Sequence, residues 1–394
     1  MLTMGRILLA LICLYALTGE ASAAGESDFL IGYLELDGDP RYHDRVTRSR
    51  LRGQAWGRPF DGARMAIKEG KFAAAAAGVK LALVRESGAD IDAMGAALDR
   101  LYADGARFFL VDAPGGALAA LAKGSRDKTL LLFNISALDD ALRGAQCHPQ
   151  LLHVVPSRAM LMDALAQYLV MKKWQEVLVL AGPRPGDAQM LAAFERSAKR
   201  FKLELVDKRQ FVLGSDPRKR GQNNVALLTG KADYDVVFVA DATGDFAKEV
   251  PYQVLKPRPV AGGAGLVADW WHWGWDRHGA PQLNGRFQKR AKRLMTGYDW
   301  AGWMAVKAIV EALLRTQSTD FATLAEFIRG EAIVLDGFKG NRLSFRPWSG
   351  QLRQPVFVTT GEWVVARAPL EGFLHAKNDL DTLGVDERES LCGR

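Results

Sequence analysis

Short apolar runs alternate with longer stretches of helical periodicity along most of this chain, and the alternation restricts the fold more than any other feature. Runs of about four to eight Val, Leu, Ile and Phe residues are typical of buried strands, whereas apolar residues repeated every three or four positions are typical of helices. Strands that alternate with helices form parallel sheets covered by helices on both faces. The sequence therefore predicts an α/β protein with doubly wound parallel sheets.

The alternation falls into two successive units and a C-terminal region. In the first unit, strands are predicted at residues 29–36, 79–84, 107–111 and 130–134, and helices from Pro59, at 91–102 and near 117–122. In the second, strands are predicted at 177–181, 204–212 and 236–240, and helices at 157–172, 187–201 and 223–229. The C-terminal region is predicted to contain helices at 282–295, 300–315 and 321–329 and a hairpin at 356–360 and 363–367.

The first two dozen residues have the three parts of a secretory signal: Arg6, the apolar run 7–17 and the small residues 21–23. The alternative is an N-terminal membrane anchor, but eleven apolar residues are too few to span a bilayer. Cys13 follows Ile12, where a lipoprotein signal requires a small residue. We therefore expect cleavage near Ala23 and an exported, periplasmic protein.

Removal of the signal leaves two of the three cysteines, Cys147 and Cys392, in a compartment that permits disulfides. We predict that the two cysteines pair and tie the C-terminal tail to the middle of the chain. Two unpaired thiols are the alternative.

Basic residues exceed acidic residues by 52 to 45, which gives a formal charge of +7. Because an exported chain without a recognition motif or a sustained basic stripe has no basis for binding nucleic acid, we expect none. The densest basic stretch is either a solvated face or a holder of carboxylate or phosphate groups. It consists of Arg41, Arg45, Arg48, Arg50, Arg52 and Arg58.

The third strands of the two units share local sequence, since residues 107–115 and 236–244 both end an apolar run with Asp-Ala-x-Gly. Ligands of open parallel sheets bind beyond the carboxyl ends of the strands. Asp112 and Asp241 are therefore expected near a cleft between two similar lobes. The alternative is that each aspartate caps its own turn and the following helix.

Acidic and hydroxyl residues follow several predicted strands on the expected cleft side. Together these residues offer oxygen ligands to a hard cation or an amine, although they do not form a calcium-loop motif. A solvated loop with internal Asp–Arg pairs is the alternative. The candidate ligand-binding residues are Asp37, Asp39, Tyr42, Asp112, Asn134, Ser136, Asp139, Asp187, Asp241 and Thr243, and the candidate metal ligands are Asp37, Asp39, Asp112 and Asp241.

Residues 270–275 contain four of the ten tryptophans. Aromatic faces stack on planar ligands or surround cations, so Trp271 and Trp273 are also candidate ligand-binding residues. Tryptophans at such a position can equally fill a hinge or contact a partner.

No catalytic residues are predicted, because the chain lacks a nucleophile elbow, a phosphate loop, a dinucleotide fingerprint and zinc-type histidine spacing. A hydrolase acting through two opposed carboxylates is the less favoured alternative. No cofactor is identified beyond a candidate bound metal ion.

The order and spacing of three segments are similar to those of a known protein family. These segments are residues 59–66, 142–157 and 298–308. In them the chain resembles type I periplasmic solute-binding proteins of ATP-binding-cassette transporters, the group that includes branched-chain amino acid, amide and urea binders. The resemblance implies a non-enzymatic protein that delivers a small ligand to an inner-membrane permease. The implied units are lobe 1 at 24–152 and 266–354, lobe 2 at 153–265 and 355–370, and a tail at 371–394.

Residues 336–355 and 381–392 are similar to the subgroup associated with pyrroloquinoline-quinone-dependent alcohol dehydrogenase systems. Because related methylotroph transporters are linked to lanthanide handling, the similarity makes a metal or metal complex a candidate cargo and a periplasmic quinoprotein dehydrogenase a candidate partner. A docking accessory with a degenerate cleft is the alternative function. The chain has Ala113-Pro-Gly-Gly-Ala117 where amino-acid binders present hydroxyl residues, so a standard amino-acid ligand is not expected.

Overall fold

The computed structural model describes residues 27–42, 57–214 and 217–392. The predicted secretory signal and its cleavage site lie outside these residues, as do Arg45, Arg48, Arg50 and Arg52 of the basic stretch.

The first unit is a parallel sheet, as predicted, with strand order β2-β1-β3-β4-β5. The sequence predicts four of its strands and misses β5, which is three residues long. Its helices α1, α2 and α3 follow strands β1, β2 and β3 along the chain. The strands are β1 (Ser27–Leu36), β2 (Val79–Gly88), β3 (Phe108–Asp112), β4 (Leu131–Asn134) and β5 (Leu151–His153). The helices are α1 (Phe60–Ala76), α2 (Ile91–Ala103) and α3 (Gly115–Gly124).

The second unit is a four-stranded parallel sheet of strand order β7-β6-β8-β9. The sequence predicts three of its strands and misses β9, which is only three residues long. The strands are β6 (Glu176–Ala181), β7 (Glu204–Gln210), β8 (Val236–Ala240) and β9 (Val260–Gly262). The helices are α4 (Arg158–Met171), α5 (Pro185–Phe201), α6 (Val225–Leu228) and α7 (Val250–Gln253).

The C-terminal region adds helices to the first unit and a small antiparallel sheet, β10-β13-β14, that packs on α4. Helix α8 ends at Ala291, earlier than predicted, because Lys292 turns into the left-handed conformation with φ of 59°. The helices are α8 (Ala280–Ala291), α9 (Gly297–Thr316) and α10 (Phe321–Arg329). The strands are β10 (Val267–Asp269), β11 (Leu335–Asp336), β12 (Arg342–Leu343), β13 (Val356–Thr359) and β14 (Val364–Ala368).

Helices α1 and α9 pack closely where two glycines face backbone carbonyl groups. A Cβ atom on Gly62 would lie 1.9 Å from the carbonyl oxygen of Asp299, and one on Gly302 would lie 2.5 Å from that of Pro59. Any larger residue would force the helices apart. This contact fixes the start of α1, and hence Arg58, over the ends of the first sheet's strands.

The links between the two parallel sheets are held together by buried polar side chains. Arg143 donates to the carbonyl oxygens of Ala137, Asp139 and Val155 and to Oε1 of Gln351, at 2.9 Å each. Gln351 in turn donates from Nε2 to the carbonyl oxygens of His153 and Val155. The segments that pass between the sheets therefore form one hydrogen-bonded junction.

Cys147 and Cys392 form a disulfide, which confirms the predicted pairing. The bond fastens the end of the tail to the connection that precedes β5. Further back, the tail packs on the second unit, where the backbone of Gly384 donates to Asp163 of α4 and accepts from Arg196 and Arg200 of α5. The tail is thus attached to elements of both parallel sheets.

No helix within the described ranges is long and apolar enough to cross a membrane.

Candidate functional site

Each parallel sheet has one position where the strand order reverses, between β1 and β3 in the first sheet and between β6 and β8 in the second. Crevices beyond the carboxyl ends of the strands at such positions bind ligands in open α/β sheets. Two groups of residues occupy these crevices. The first half-site comprises Arg41, Tyr42, Arg58 and Asp112, and the second half-site comprises Arg184, Thr243 and Asp245.

Asp112, which ends β3, is the centre of the first half-site. Its carboxylate accepts hydrogen bonds from Tyr42 Oη at 2.9 Å, Arg41 Nη2 at 3.2 Å and Arg58 Nη1 at 3.3 Å. Burial, together with the charge of Asp112, raises the pKa of the Tyr42 hydroxyl well above its ordinary value. Tyr42 therefore remains protonated and serves as a donor.

The loop after β1 contributes one aspartate to this cluster and leaves another outside it. Asp39 is buried and forms an ion pair with Arg41, whose Nη1 also donates to the carbonyl oxygen of Ser136 at 3.0 Å. Asp37 is exposed, and its backbone N–H bonds to Gly88 at the end of β2. Asp37 is therefore not brought together with Asp39 and Asp112.

The second half-site is built on the loops after β6 and β8. Arg184 donates from Nη1 to Thr243 Oγ1 and from Nη2 to Asp245 at 2.9 Å. Two buried aspartates hold these loops in shape. Asp187 accepts from the N–H groups of Arg184 and Ala242, and Asp241 accepts from the N–H groups of Thr243, Gly244, Phe246 and Ala247.

The contacts of Asp241 correspond to the capping alternative given for it in the sequence, and Asp187 accepts backbone N–H groups in the same way. Four backbone N–H groups and the Thr243 hydroxyl share the two oxygen atoms of Asp241. A carboxylate so fully bonded has little capacity left for a ligand. Their role as ligand-binding residues remains a prediction that these contacts do not support.

Asn134 and Ser136, after β4, are buried and bonded within the protein. Asn134 Nδ2 donates to the carbonyl oxygen of Ala137 at 2.7 Å and lies 3.0 Å from Nδ1 of His153, and Ser136 Oγ donates to the carbonyl oxygen of Ala113. These bonds fix the loop beneath Arg41. Asp139, from the same loop, forms an ion pair with Arg158 at the start of α4.

Two buried histidines predict a loss of stability in mild acid. Burial lowers the pKa of His153 well below its ordinary value and that of His272 to about 4. Below about pH 6.5 the unfolded chain binds protons that the folded protein does not, so stability falls as the pH falls. For His272 alone we expect the free energy of unfolding to decrease by about 2 kcal/mol from pH 7 to pH 5.

Urea denaturation at pH 7, 6 and 5 measures this effect, with His272→Asn as the comparison. In the wild type the N–H of Gly274 donates to His272 Nδ1 at 3.0 Å. The side-chain oxygen of Asn provides an acceptor for the same N–H group. The variant should lose less stability than the wild type between pH 7 and pH 5. Equal losses would show that His272 becomes protonated in the folded protein.

The four candidate metal ligands are not assembled into a metal centre. Within the described part of the chain, no group of three or more His, Cys, Asp or Glu side chains is placed to hold a metal ion. Asp112 is bonded to two arginines, Asp39 to Arg41, and Asp241 to backbone N–H groups. The geometry therefore offers no support for a metal bound by these carboxylates.

The tryptophan-rich turn is mostly core. Trp271 is buried, stacks on Trp300 with ring centroids 6.2 Å apart, and donates from Nε1 to Asn284. Trp273 is exposed and lies against His272. These contacts place Trp271 in the hydrophobic core against α8 and α9, and its predicted stacking on a ligand has no support from the packing.

Arg184 and Asp245 are the site residues that the sequence pattern does not single out. Both stand in loops directly after predicted strands, the same signal that selects Asp187 and Asp241. A location directly after a strand marks a residue as near the site. It does not distinguish the aspartates that cap the loops from the charged residues that reach solvent.

The fold and the paired half-sites together define a class, that of two-lobed binding proteins with the cleft at the ends of parallel sheets. The profile of the periplasmic binding protein family matches residues 52–251, just over half of the chain. This protein therefore belongs to the periplasmic binding protein family. Members of that family are periplasmic and bind solutes, which agrees with the expectation of a non-enzymatic protein.

Solved structures of such proteins share the fold at low sequence identity. A branched-chain amino acid ABC transporter periplasmic ligand-binding protein from Burkholderia xenovorans is 14% identical in sequence and superposes with a TM-score of 0.71. The alignment covers 93% of this chain and 99% of that protein. An ABC transporter substrate-binding protein from Sphaerobacter thermophilus is 18% identical, with a TM-score of 0.67 over 91% and 100%. A solute-binding protein from Rhodopseudomonas palustris in complex with 3,4-dihydroxybenzoic acid is 14% identical, with a TM-score of 0.64 over 87% and 97%.

A comparison with curated protein sequences finds no significant match.

Proposed function

We propose that this protein is the solute-binding component of an ATP-binding-cassette transporter, which closes two lobes on a small ligand and presents the closed form to an inner-membrane permease. The observation that carries the proposal is the pair of half-sites, each at the reversal point of its own parallel sheet. Membership of the periplasmic binding protein family supports the same conclusion. The predicted lobe boundaries and the cleavage near Ala23 are part of this proposal.

The ligand is proposed to differ from a standard amino acid. The loop after β3 contains no hydroxyl side chain between Ala113 and Ala117, and Ser136, the nearest hydroxyl predicted for the site, bonds to Ala113 instead. Solved relatives bind a range of ligands, since two of them were crystallised with benzoate and with 3,4-dihydroxybenzoic acid. This range is consistent with a small organic ligand.

A narrower proposal links the transporter to pyrroloquinoline-quinone-dependent alcohol oxidation. It rests on the similarity of residues 336–355 and 381–392 to the binding proteins of such systems. In the structure these two segments contact each other, because Arg346 and Arg353 both pair with Asp381. The similarity therefore concerns residues that hold the tail in place, and it supports a shared architecture more directly than a shared ligand.

A metal or metal complex remains a candidate cargo only through that similarity.

The second candidate function, a docking accessory of a quinoprotein dehydrogenase, is favoured by the arginines that already pair with Asp112 and Asp39. A cleft filled by its own ion pairs is what a degenerate site would contain.

Calorimetry combined with small-angle scattering tests the proposed function. The mature protein is titrated with lanthanide and calcium ions, quinone cofactor, amines, amides, alcohols and carboxylates. We expect one of these classes to bind and to reduce the radius of gyration, as closure of two lobes requires. Absence of binding throughout the panel, together with stable copurification with a dehydrogenase, would favour the docking function instead.

A further inference from the structure

We infer that the ligand is a small organic anion whose carboxylate group is bound by Arg41 and Arg58 of the first half-site and Arg184 of the second. The inference rests on the proposed solute-binding function and names the chemical class of the solute.

The first half-site exposes guanidinium groups and buries carboxylates. The side chains of Asp39 and Asp112 are 0% exposed, whereas those of Arg41 and Arg58 are 24% and 18% exposed. Glu35, the third acidic side chain here, is 7% exposed and bonds to Arg85 at 2.7 Å. The acidic groups therefore lie beneath the arginines and hold them in place, and an incoming ligand first meets positive charge.

Within the described part of the chain, Arg58 retains more hydrogen-bonding capacity than Arg41, which already donates from Nε, Nη1 and Nη2 to Asp39, Ser136 and Asp112. A guanidinium group carries five N–H donors. Among the described residues, Arg58 donates from Nη1 to Asp112 and from Nη2 to the carbonyl oxygen of Leu36, while its Nε lies 3.8 Å from Glu35, beyond hydrogen-bonding distance. The planar group is thus oriented by two bonds and has N–H groups left for a carboxylate, which it can bind through two parallel hydrogen bonds.

The second half-site shows the same arrangement. Asp187 and Asp241 are buried and bonded to backbone N–H groups, whereas Arg184 is 39% exposed. Asp245 is partly exposed but is paired with Arg184. Arg184 also stands at the N-cap of α5, where the helix dipole adds positive potential.

An amine or a bare metal ion would require exposed, unpaired carboxylate oxygen atoms. The half-sites do not present them, since Asp112 and Asp39 are covered by arginines and Asp245 is paired. A carboxylate ligand has the opposite requirement, and guanidinium groups from two sheets can meet it when the lobes close. Hydroxyl groups of Tyr42 and Thr243 beside the arginines provide further polar contacts for an oxygen-rich anion.

Isothermal titration calorimetry of the mature protein tests the inference with matched probes. Benzoate, 3,4-dihydroxybenzoate and succinate are each compared with the corresponding amide, and benzylamine, calcium and lanthanum ions are titrated separately. We expect at least one carboxylate to bind and its amide to bind at least about 10-fold more weakly, because charge-assisted hydrogen bonds to arginine are lost.

Arginine variants connect the binding to the two half-sites. Arg58→Gln and Arg184→Gln are each expected to raise the Kd of the bound carboxylate by about 10- to 100-fold. Arg184→Lys, which keeps the charge but not the planar fork, should fall between wild type and Arg184→Gln. Arg315→Gln is the matched control, since Arg315 is exposed on α9 and pairs with Glu311, and it should leave the Kd unchanged.

Circular dichroism and the melting temperature establish that each variant is folded. Binding of benzylamine, an amide or a metal ion without binding of any carboxylate would overturn the anion inference and leave the solute-binding function intact. Unchanged Kd values in folded Arg58→Gln and Arg184→Gln would also overturn the inference. Failure of every probe, with no change in the radius of gyration, would count against both the inference and the proposed function.

Discussion

Substitution of Asp163 by Asn should lower the free energy of unfolding by about 3 kcal/mol, since it removes one charge from a buried ion cluster. The Asp163 side chain on α4 is 0% exposed and accepts from Ser197 Oγ at 2.6 Å and from the backbone N–H of Gly384 at 2.8 Å. It also pairs with Arg200 at 3.0 Å and Arg196 at 3.3 Å. The variant leaves both arginines facing an amide, and its single carbonyl oxygen cannot accept from both Ser197 and Gly384, which weakens the attachment of the tail to α4.

Urea denaturation measures the change in stability, and limited trypsin digestion followed at Arg388 measures release of the tail. The matched control is Asp379→Asn, which removes an exposed carboxylate from the same tail. Asp163→Asn should be cleaved faster than wild type while Asp379→Asn is cleaved at the wild-type rate. Equal stability of the two variants would mean that the cluster around Asp163 does not hold the tail.

Loss of the disulfide is expected to have the largest effect on stability. Cys147 and Cys392 are separated by 245 residues, and the chain-entropy model assigns about 5 kcal/mol to a bond that closes so long a loop. Cys392→Ser, Cys147→Ser and the double variant should be equally destabilised, because each lacks the same bond. Denaturation of the wild type under reducing conditions should approach the same value.

Two results would contradict this prediction. Mass spectrometry under non-reducing conditions would find two free thiols in the mature protein if the bond did not form. A difference in stability between Cys147→Ser and Cys392→Ser larger than experimental error would mean that a serine, rather than the missing bond, causes the loss.

The central strands of the parallel sheets are predictable from the sequence because they are buried on both faces and read as continuous apolar runs. Strand β8, for example, consists of Val236–Ala240, the same residues that the sequence predicts. Strands β9 and β10 are three residues each and carry no such run. Strand β9 pairs with β8, and β10 pairs with β13, which lies far away in the chain. These short strands are therefore defined by partners that meet them only in the folded structure.

The candidate site is predictable in position but not in chemistry. The end of β3 selects Asp112, because the carboxyl end of a parallel strand is recognisable from the pattern alone. Whether that carboxylate faces a ligand depends on Arg58, which reaches it from the start of α1, 54 residues away in the sequence. Trp271 is a similar case, since its burial against Trp300 arises from the packing of the turn on α9.

The attachment of the tail to both units has a mechanical consequence. Gly384 is fixed to α4 and α5, and Cys392 is fixed to the connection before β5. Eight residues extend by at most about 28 Å, so these two anchor points cannot move farther apart than that length. In the proposed two-lobed mechanism the tail therefore acts as a tether that limits how far the cleft opens without resisting its closure, and cutting the disulfide would leave the pairs of Asp381 with Arg346 and Arg353 as the remaining attachment beside Gly384.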